Sequence, residues 1–105
     1  MERITSVQNG KIKQMSKLVS SSKERKKTGE FVIEGARLCR DAVLSGVELV
    51  EAYFTSDALS KYSEDSELVY SKAEFSFEIS DEVAKKTSGY RINSGRFCKV
   101  QKHEK

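Results

Sequence analysis

The chain has 105 residues, of which 37% are hydrophobic and 33% are charged, and its net charge is +3. This length suits one domain with one core, and it excludes a core together with a full enzyme domain. The chain shows no apolar run of about 18 residues, no signal peptide and only two cysteines, which predicts a cytoplasmic protein with free thiols and no contact with membranes.

The first helix is predicted from a cap and an apolar stripe near the start of the chain. Asn9 suits the cap, and the helix runs to about residue 19 with Ile12, Met15 and Val19 on its apolar face. Residues 20–29 carry no apolar side chain. They are predicted to lie at the surface, as a loop or a frayed helix end.

The middle of the chain alternates between apolar runs and helical patterns. A buried strand is predicted at residues 31–33 and a second strand at residues 47–55. Between them a helix begins at Ala36 and ends at Gly46. A short helix follows over residues 57–62.

The last part of the chain predicts two more strands with a helix and a loop between them. Apolar and polar residues alternate over residues 75–79, which is the period of a strand. A short helix starts at Ser80, residues 86–96 form a second basic loop, and residues 97–100 form the last strand. Helices alternating with about four strands predict an α/β fold, with helices on both faces of the sheet.

Charge is distributed in three blocks. Residues 1–40 carry ten lysines and arginines against four carboxylates, residues 41–84 carry two against eleven, and residues 85–105 carry seven against one. If the fold brings the two ends together, one face is basic and attracts phosphates, while another is acidic. The alternative interpretation is a solvated surface with no specific partner.

The sequence offers no catalytic constellation. The one histidine, His103, lies in the polar tail, and the isolated Cys39 and Cys98 suit small core positions better than nucleophilic ones. A glycine loop for phosphates and a cluster of metal ligands are also missing from the sequence. The chain alone is therefore predicted not to be an enzyme and to hold no metal or cofactor.

Two basic segments, residues 23–27 and 86–96, and the turn at Glu34-Gly35 are the candidate contacts for nucleic acid. The first segment offers phosphate contacts. The second combines cations, an aromatic ring and an amide, which suits unpaired RNA. RNA can also approach closely at the glycine that precedes the second predicted helix. The alternatives are a Tyr90 half packed on the last strand and a Gly35 that serves packing. The candidate RNA-binding residues are Lys23, Arg25, Lys26, Lys27, Glu34, Gly35, Arg37, Lys86, Tyr90, Arg91, Asn93 and Arg96.

Several short blocks, in a fixed order and covering almost the whole chain, are shared with a known family. The blocks are Ile4-Thr5-Ser6, Asn9, Ile12-Lys13, Arg25 through Gly29, Phe31-Val32-Ile33-Glu34-Gly35, Arg37-Leu38, Asp41-Ala42 and Glu78-Ile79-Ser80-Asp81-Glu82-Val83. Together they resemble the SpoU/TrmH-type RNA 2′-O-ribose methyltransferases. One departure precedes the last strand, where the family has a Thr-Pro-Gln-Gly-like segment and this chain has Ile92-Asn93-Ser94-Gly95.

The resemblance implies the substrate-binding domain of that family. Its fold is a three-layer α/β/α sandwich with a small mixed sheet, similar to ribosomal proteins that bind kink-turn RNA. In the family this domain binds ribosomal or transfer RNA, and a separate knotted domain binds S-adenosylmethionine and methylates the ribose. The resemblance thus implies one domain at residues 1–105 that recognises ribosomal RNA, a missing catalytic domain, and a homodimer of the full-length protein. The alternatives are a stand-alone kink-turn or ribosome-associated RNA-binding protein, and a protein-interaction module.

Overall fold

Helices and strands alternate along most of the chain. A computed structural model describes residues 1–88 and the backbone of residues 96–101. The described elements are β1 (Glu2–Ile4), α1 (Gly10–Ser20), α2 (Ser22–Thr28), β2 (Glu30–Glu34), α3 (Ala36–Leu44), β3 (Leu49–Phe54), α4 (Ser56–Lys61), α5 (Ser63–Lys72), β4 (Phe75–Ile79), α6 (Asp81–Ser88) and β5 (Arg96–Gln101). None of the described helices has the length and apolar character that crossing a membrane requires.

The strands form one mixed sheet. Within the described residues the sheet has five strands in the order β1-β4-β3-β5-β2. Strands β1, β4 and β3 are parallel, and β5 is antiparallel to both β3 and β2. The first four strands in the sequence therefore all point the same way, and their carboxyl ends meet at one edge of the sheet. We call this edge, with Gly35, Arg37 and Arg96 beside it, the carboxyl edge.

Two apolar clusters cover the two faces of the sheet, because strand side chains alternate between the faces. The cluster on the side of α1 and α6 is Ile4, Ile12, Met15, Tyr53, Phe77, Ile79, Val83 and Ala84. The cluster on the side of α3 and α5 is Cys39, Ala42, Leu49, Ala52, Phe54 and Val69. The three-layer α/β/α sandwich is thereby confirmed, and the buried Cys39 is a free thiol, as expected.

The predicted strands are all present, and one strand is added. The apolar runs correspond to β2, β3, β4 and β5. Strand β1 was not predicted, because it has only three residues and buries only Ile4. It pairs in parallel with β4 and makes a fifth strand where about four were predicted.

Helix α1 confirms the predicted cap and corrects one core position. Asn9 Oδ1 accepts a hydrogen bond from the backbone N–H of Lys11 at 2.9 Å. The helix buries Ile12 and Met15, but its third buried residue is Leu18, and the predicted Val19 is only half-buried. Helix α1 packs against α2 and α6 as well as β2, and Leu18 rather than Val19 lies on the buried side of the helix.

The segment predicted as a loop or frayed end is a capped helix, α2. Ser21 Oγ accepts a hydrogen bond from the backbone N–H of Glu24 at 3.1 Å, and Gly29 ends the helix in the left-handed region with φ 71°. A serine followed three residues later by glutamate is the sequence pattern of a capping box, so the sequence did contain a signal for this helix start, although Ser21 N–H donates to the Lys17 carbonyl rather than to Glu24. The predicted surface position is confirmed, since no residue of α2 is buried.

Two other predictions need correction. Helix α5 was not predicted, because its sequence is polar and it buries only Ser66 and Val69. The loop predicted at residues 86–96 is corrected at both ends, because Lys86 lies in the last turn of α6 and Arg96 begins β5. The part of that loop at residues 89–95 lies outside the described residues.

Candidate nucleic-acid interface

The exposed cations gather on one outer layer of the sandwich. The described helices α1, α2 and α6 carry nine lysines and arginines against three carboxylates, whereas α3, α4 and α5 carry four against five. Lysines from the first basic block and Lys85 and Lys86 from the last thus lie in the same layer, which favours the predicted basic face, whereas Arg37 and Arg40 of the first block lie on α3 in the opposite layer. We call the exposed cations of these three helices the basic layer: Lys11, Lys13, Lys17, Lys23, Lys26, Lys27, Lys85 and Lys86.

Helix α2 is fixed against α1 by two side chains. Arg25 Nη1 donates hydrogen bonds to the carbonyl oxygens of Leu18 at 2.7 Å and Val19 at 3.1 Å. Gln14 Nε2 donates to Glu24 Oε2 at 3.0 Å, and this hydrogen bond holds the pKa of the Glu24 carboxyl below its usual value. Arg25 therefore satisfies the carbonyl groups that the end of α1 leaves without partners in its own helix.

The three lysines of α2 point away from this anchor. Lys23, Lys26 and Lys27 are exposed, and their spacing of three and four residues places them on one face of the helix. The half-buried Arg25 differs from them, because one nitrogen of its guanidinium is occupied by α1. The structure thus separates four cations that looked equivalent in the sequence into three exposed lysines and one anchoring arginine.

Gly35 shapes the carboxyl edge of the sheet. It has φ 119° and ψ 143°, and it precedes α3, which begins without a hydrogen bond from a capping side chain. Glu34 ends β2 and pairs with Phe97 of β5, so the backbone of Arg96 lies at the same edge as Gly35. Arg37 is exposed on the first turn of α3. This edge therefore combines Gly35 with the exposed Arg37 and the backbone of Arg96.

The predicted site residues fall into two separate places. Helix α2 leads into the amino end of β2, whereas Gly35 follows its carboxyl end. A strand of this length places its ends about 13 Å apart. The α2 lysines and the carboxyl edge therefore lie at opposite ends of β2. Tyr90, Arg91 and Asn93 lie outside the described residues.

Sequence reasoning missed four members of the basic layer. These are Lys11, Lys13, Lys17 and Lys85. For Lys13 and Lys17 the signal was present, because a spacing of four residues places both on the helix face opposite the apolar stripe. Lys85 adjoins the predicted Lys86, and both lie in the last turn of α6.

A buried polar cluster supports the start of α1. The Tyr53 hydroxyl donates a hydrogen bond to Glu51 Oε1 at 2.6 Å, and Lys11 Nζ lies 3.6 Å from Glu51 Oε2. Lys11 Nζ also lies 5.4 Å from the ring centre of Phe77, which stacks on Tyr53. Burial and the hydrogen bond with Glu51 raise the pKa of the Tyr53 phenol. We interpret this cluster as structural.

Within the described residues no group of His, Cys, Asp and Glu is arranged to hold a metal ion.

Replacing Gly35 with alanine is expected to destabilise the fold. No atom lies within 4 Å of the position that a Cβ would occupy, so the cost comes from the backbone at φ 119° rather than from a clash. Glycine alone adopts this region readily, and the strain costs about 1–2 kcal/mol of unfolding free energy. Urea denaturation measures it. Gly10→Ala is the control, since Gly10 has equal space and is helical, and a comparable loss in both variants would contradict this explanation.

Solved structures of RNA methyltransferases share this fold. An RNA 2′-O-ribose methyltransferase superposes with a TM-score of 0.80 and 31% identity, over 97% of this chain and 38% of that chain. An rRNA methyltransferase from Sinorhizobium meliloti gives 0.79 and 16% identity over 99% and 38% of the two chains. The SpoU methyltransferase AviRb from Streptomyces viridochromogenes gives 0.71 and 19% identity over 90% and 34%. The chain thus spans little more than a third of their length.

The family follows from a sequence comparison. The family model of the MRM3-like substrate-binding domain matches residues 9–94, which is most of the chain. The chain therefore belongs to the MRM3-like substrate-binding domain family. The resemblance to SpoU-type RNA 2′-O-ribose methyltransferases is thereby confirmed. A search of curated protein sequences found no match.

Proposed function

We propose that this chain is the RNA-recognition domain of an RNA 2′-O-ribose methyltransferase, and that it holds structured ribosomal RNA by the phosphate backbone. The observation that carries the proposal is the composition of the basic layer. Its eight exposed cations are all lysines, and α1, α2 and α6 contain no aromatic residue. Family membership supports the same assignment.

Lysine chemistry suits the backbone of RNA better than its bases. The ammonium group is a compact charge that pairs with phosphates, whereas base recognition uses aromatic stacking, amides and the planar fork of arginine. The basic layer therefore supplies affinity and orientation with little sequence preference. In this proposal bases are read by Gly35 and Arg37 at the carboxyl edge and by Tyr90, Arg91, Asn93 and Arg96, whose side chains lie outside the described part of the chain.

Methyl transfer belongs to a separate catalytic domain. The chain spans only 34–38% of the similar methyltransferases, and two of their solved structures are described as bound to AdoMet. We therefore place S-adenosylmethionine and the reacting groups in that domain, outside these 105 residues. In the proposed arrangement the present domain positions the RNA, and the full-length protein forms a homodimer.

Reversing two charges of the basic layer should weaken RNA binding. The variant carries Lys26→Glu and Lys27→Glu, and affinity for a fluorescein-labelled ribosomal RNA hairpin is measured by anisotropy at several salt concentrations. We expect a loss of about tenfold or more at low salt, and a slope of log affinity against log salt that is smaller by about 2, because two phosphate contacts are lost.

A matched variant tests whether position or net charge decides the result. Lys61→Glu with Lys72→Glu changes the net charge equally, but these exposed lysines lie on α4 and α5 in the opposite layer. We expect this control to bind within about twofold of the wild type, with an unchanged salt slope. Equal losses in the two variants would contradict a localised site, and no binding by the wild type at low salt would contradict the function itself.

A further inference from the structure

Strand β5 carries the chain to the edge of the sheet opposite the carboxyl edge. It runs antiparallel to its neighbours β3 and β2, and its last residue, Gln101, pairs with Glu30 at the start of β2. We call this edge, where β2, β3 and β4 begin and β5 ends, the amino edge. In a longer protein, the polypeptide that follows β5 would leave the sheet at the amino edge.

Three exposed apolar side chains lie around the amino edge. Leu44 is the last residue of α3, Tyr70 lies in the last turn of α5, and Phe75 is the first residue of β4. Their exposed fractions are 67%, 49% and 53%. We call these three residues the amino-edge patch. The other large apolar side chains that are exposed within the described residues are Met1, Leu38 and Tyr62.

The amino-edge patch flanks the end of β5 from both sides of the sheet. Helices α3 and α5 pack against each other and lead into the starts of β3 and β4, so Leu44 and Tyr70 lie at neighbouring helix ends. Phe75 lies on the other face, because it is two residues from Phe77 in the same strand. Only β3 separates β4 from β5, which places the two strands about 10 Å apart.

We propose that the catalytic domain of the full-length methyltransferase docks on the amino-edge patch. This inference rests on the proposed function, because it takes the catalytic domain to follow β5. The chain spans 38% and 34% of two similar methyltransferases, so most of such a protein lies outside the residues described. A domain that begins at the end of β5 is tethered beside the patch, and the tether raises its effective concentration there.

The chemistry of the patch suits a protein surface better than RNA. Its three side chains are uncharged, whereas the lysines of the basic layer lie on α1, α2 and α6. The exposed Lys72 and Glu74 adjoin the patch with opposite charges. Apolar residues with a mixed polar rim are typical of protein interfaces, and phosphates would find no excess of cations here.

Docking at the amino edge would place the catalytic domain near the lysines of α2. Helix α2 is followed by Gly29 and then by Glu30, the residue that pairs with Gln101. RNA held by α2 would therefore lie close to the domain that methylates it. The amino-edge patch would contact no RNA itself, and it would fix the orientation of the two domains.

Hydroxyl-radical footprinting tests the docking, because it measures the exposure of individual leucine, tyrosine and phenylalanine side chains. The full-length protein and the 105-residue chain are oxidised in parallel and analysed by mass spectrometry. We expect Leu44, Tyr70 and Phe75 to be oxidised at least about threefold more slowly in the full-length protein, because an interface buries them. Leu38 and Tyr62, which are 58% and 45% exposed, are the controls, and their rates should agree within about 1.5-fold.

Amine cross-linking identifies what covers the patch. Lys72 is exposed at the end of α5, and we expect it to be cross-linked to the catalytic domain. The proposal is overturned by equal oxidation of the three patch residues in the two proteins, or by a full-length protein that contains no second domain. It is also overturned by cross-links that join Lys72 only to another copy of this domain, because the second copy would then occupy the patch.

A double substitution tests the consequence for methyl transfer. Leu44→Gln with Phe75→Gln removes two apolar side chains without changing the charge. In the full-length protein we expect kcat/KM for RNA methylation to fall about tenfold, with RNA affinity within about twofold of the wild type, because the RNA and the catalytic domain lose their fixed orientation. The control, Leu38→Gln with Tyr62→Gln, should change neither quantity by more than about twofold, and equal losses in both variants would overturn the proposal. The footprint needs no RNA, so a full-length protein that protects the patch but methylates no RNA would support the docking and contradict the proposed function.

Discussion

Arg25→Met is expected to lower the free energy of unfolding by about 2–3 kcal/mol, although the residue lies among surface lysines. Its Nη1 group donates to the carbonyl oxygens of Leu18 and Val19 and thereby joins the end of α1 to α2. Methionine keeps much of the side-chain volume but leaves both carbonyls without this charged donor. It also removes a positive charge from the negative end of the α1 dipole.

The matched variant is Lys26→Met, on the same helix. Lys26 is exposed, so its replacement should change stability by no more than about 0.5 kcal/mol. The RNA affinities should show the opposite order, with Lys26→Met weakening binding and Arg25→Met changing it little at a temperature where the variant is folded. Urea denaturation followed by circular dichroism gives the first quantity and anisotropy gives the second. If the two variants destabilise equally, the anchoring role assigned to Arg25 is wrong.

Tyr53→Phe is expected to destabilise the chain by about 2–4 kcal/mol near neutral pH. The Glu51 carboxylate is buried, with 7% of its surface exposed, and the Tyr53 hydroxyl donates its short hydrogen bond. Phenylalanine keeps the ring that stacks on Phe77 but removes that donor. Tyr70→Phe, at a residue that is 49% exposed, is the control and should have almost no effect.

The same hydroxyl gives the stability a specific dependence on alkaline pH. Burial and the Glu51 hydrogen bond raise the pKa of Tyr53 in the folded chain, whereas the unfolded phenol titrates near its ordinary value of about 10. Below about pH 10 both states hold the proton, so the contribution is fully present. Above it only the folded state holds the proton, and stability falls by up to about 1.4 kcal/mol per pH unit.

The test compares the unfolding free energies of the wild type and Tyr53→Phe, measured by denaturation between about pH 8 and 11. Other alkaline effects are common to both proteins and cancel in the difference. We expect the stability difference between them to shrink as the pH rises above about 10. A difference that stays constant over that range would show that the Tyr53 proton is not held by the fold.

The fold was largely predictable because its signals are local. Asn9 precedes a regular apolar stripe, and the apolar run at residues 31–33 adjoins a Glu-Gly turn, so α1 and β2 follow from short windows of sequence. Helix α5 lacks such a signal, because its packing requires only Ser66 and Val69 to be buried. Strand β1 gains its stability from pairing with a distant strand, β4.

The candidate site was predictable in kind but not in detail. Lys23, Lys26 and Lys27 were recognisable from charge, and their common face follows from helical spacing once α2 is known to be a helix. The anchoring role of Arg25 depends on where the end of α1 lies in space. The same holds for Lys11, whose ion pair with Glu51 joins residues that are forty positions apart. Such roles are properties of tertiary contacts and leave no local pattern.

The central claim is that the basic layer of α1, α2 and α6 holds structured RNA. The most direct test is an NMR titration of the ¹⁵N-labelled chain with a ribosomal RNA hairpin at low salt, which locates the contact residue by residue. We expect the largest amide shifts in residues 11–17, 23–28 and 85–88 and at the carboxyl edge around Gly35, and little change in α4 and α5. Shifts concentrated on α4 and α5, or no shifts at all, would contradict it.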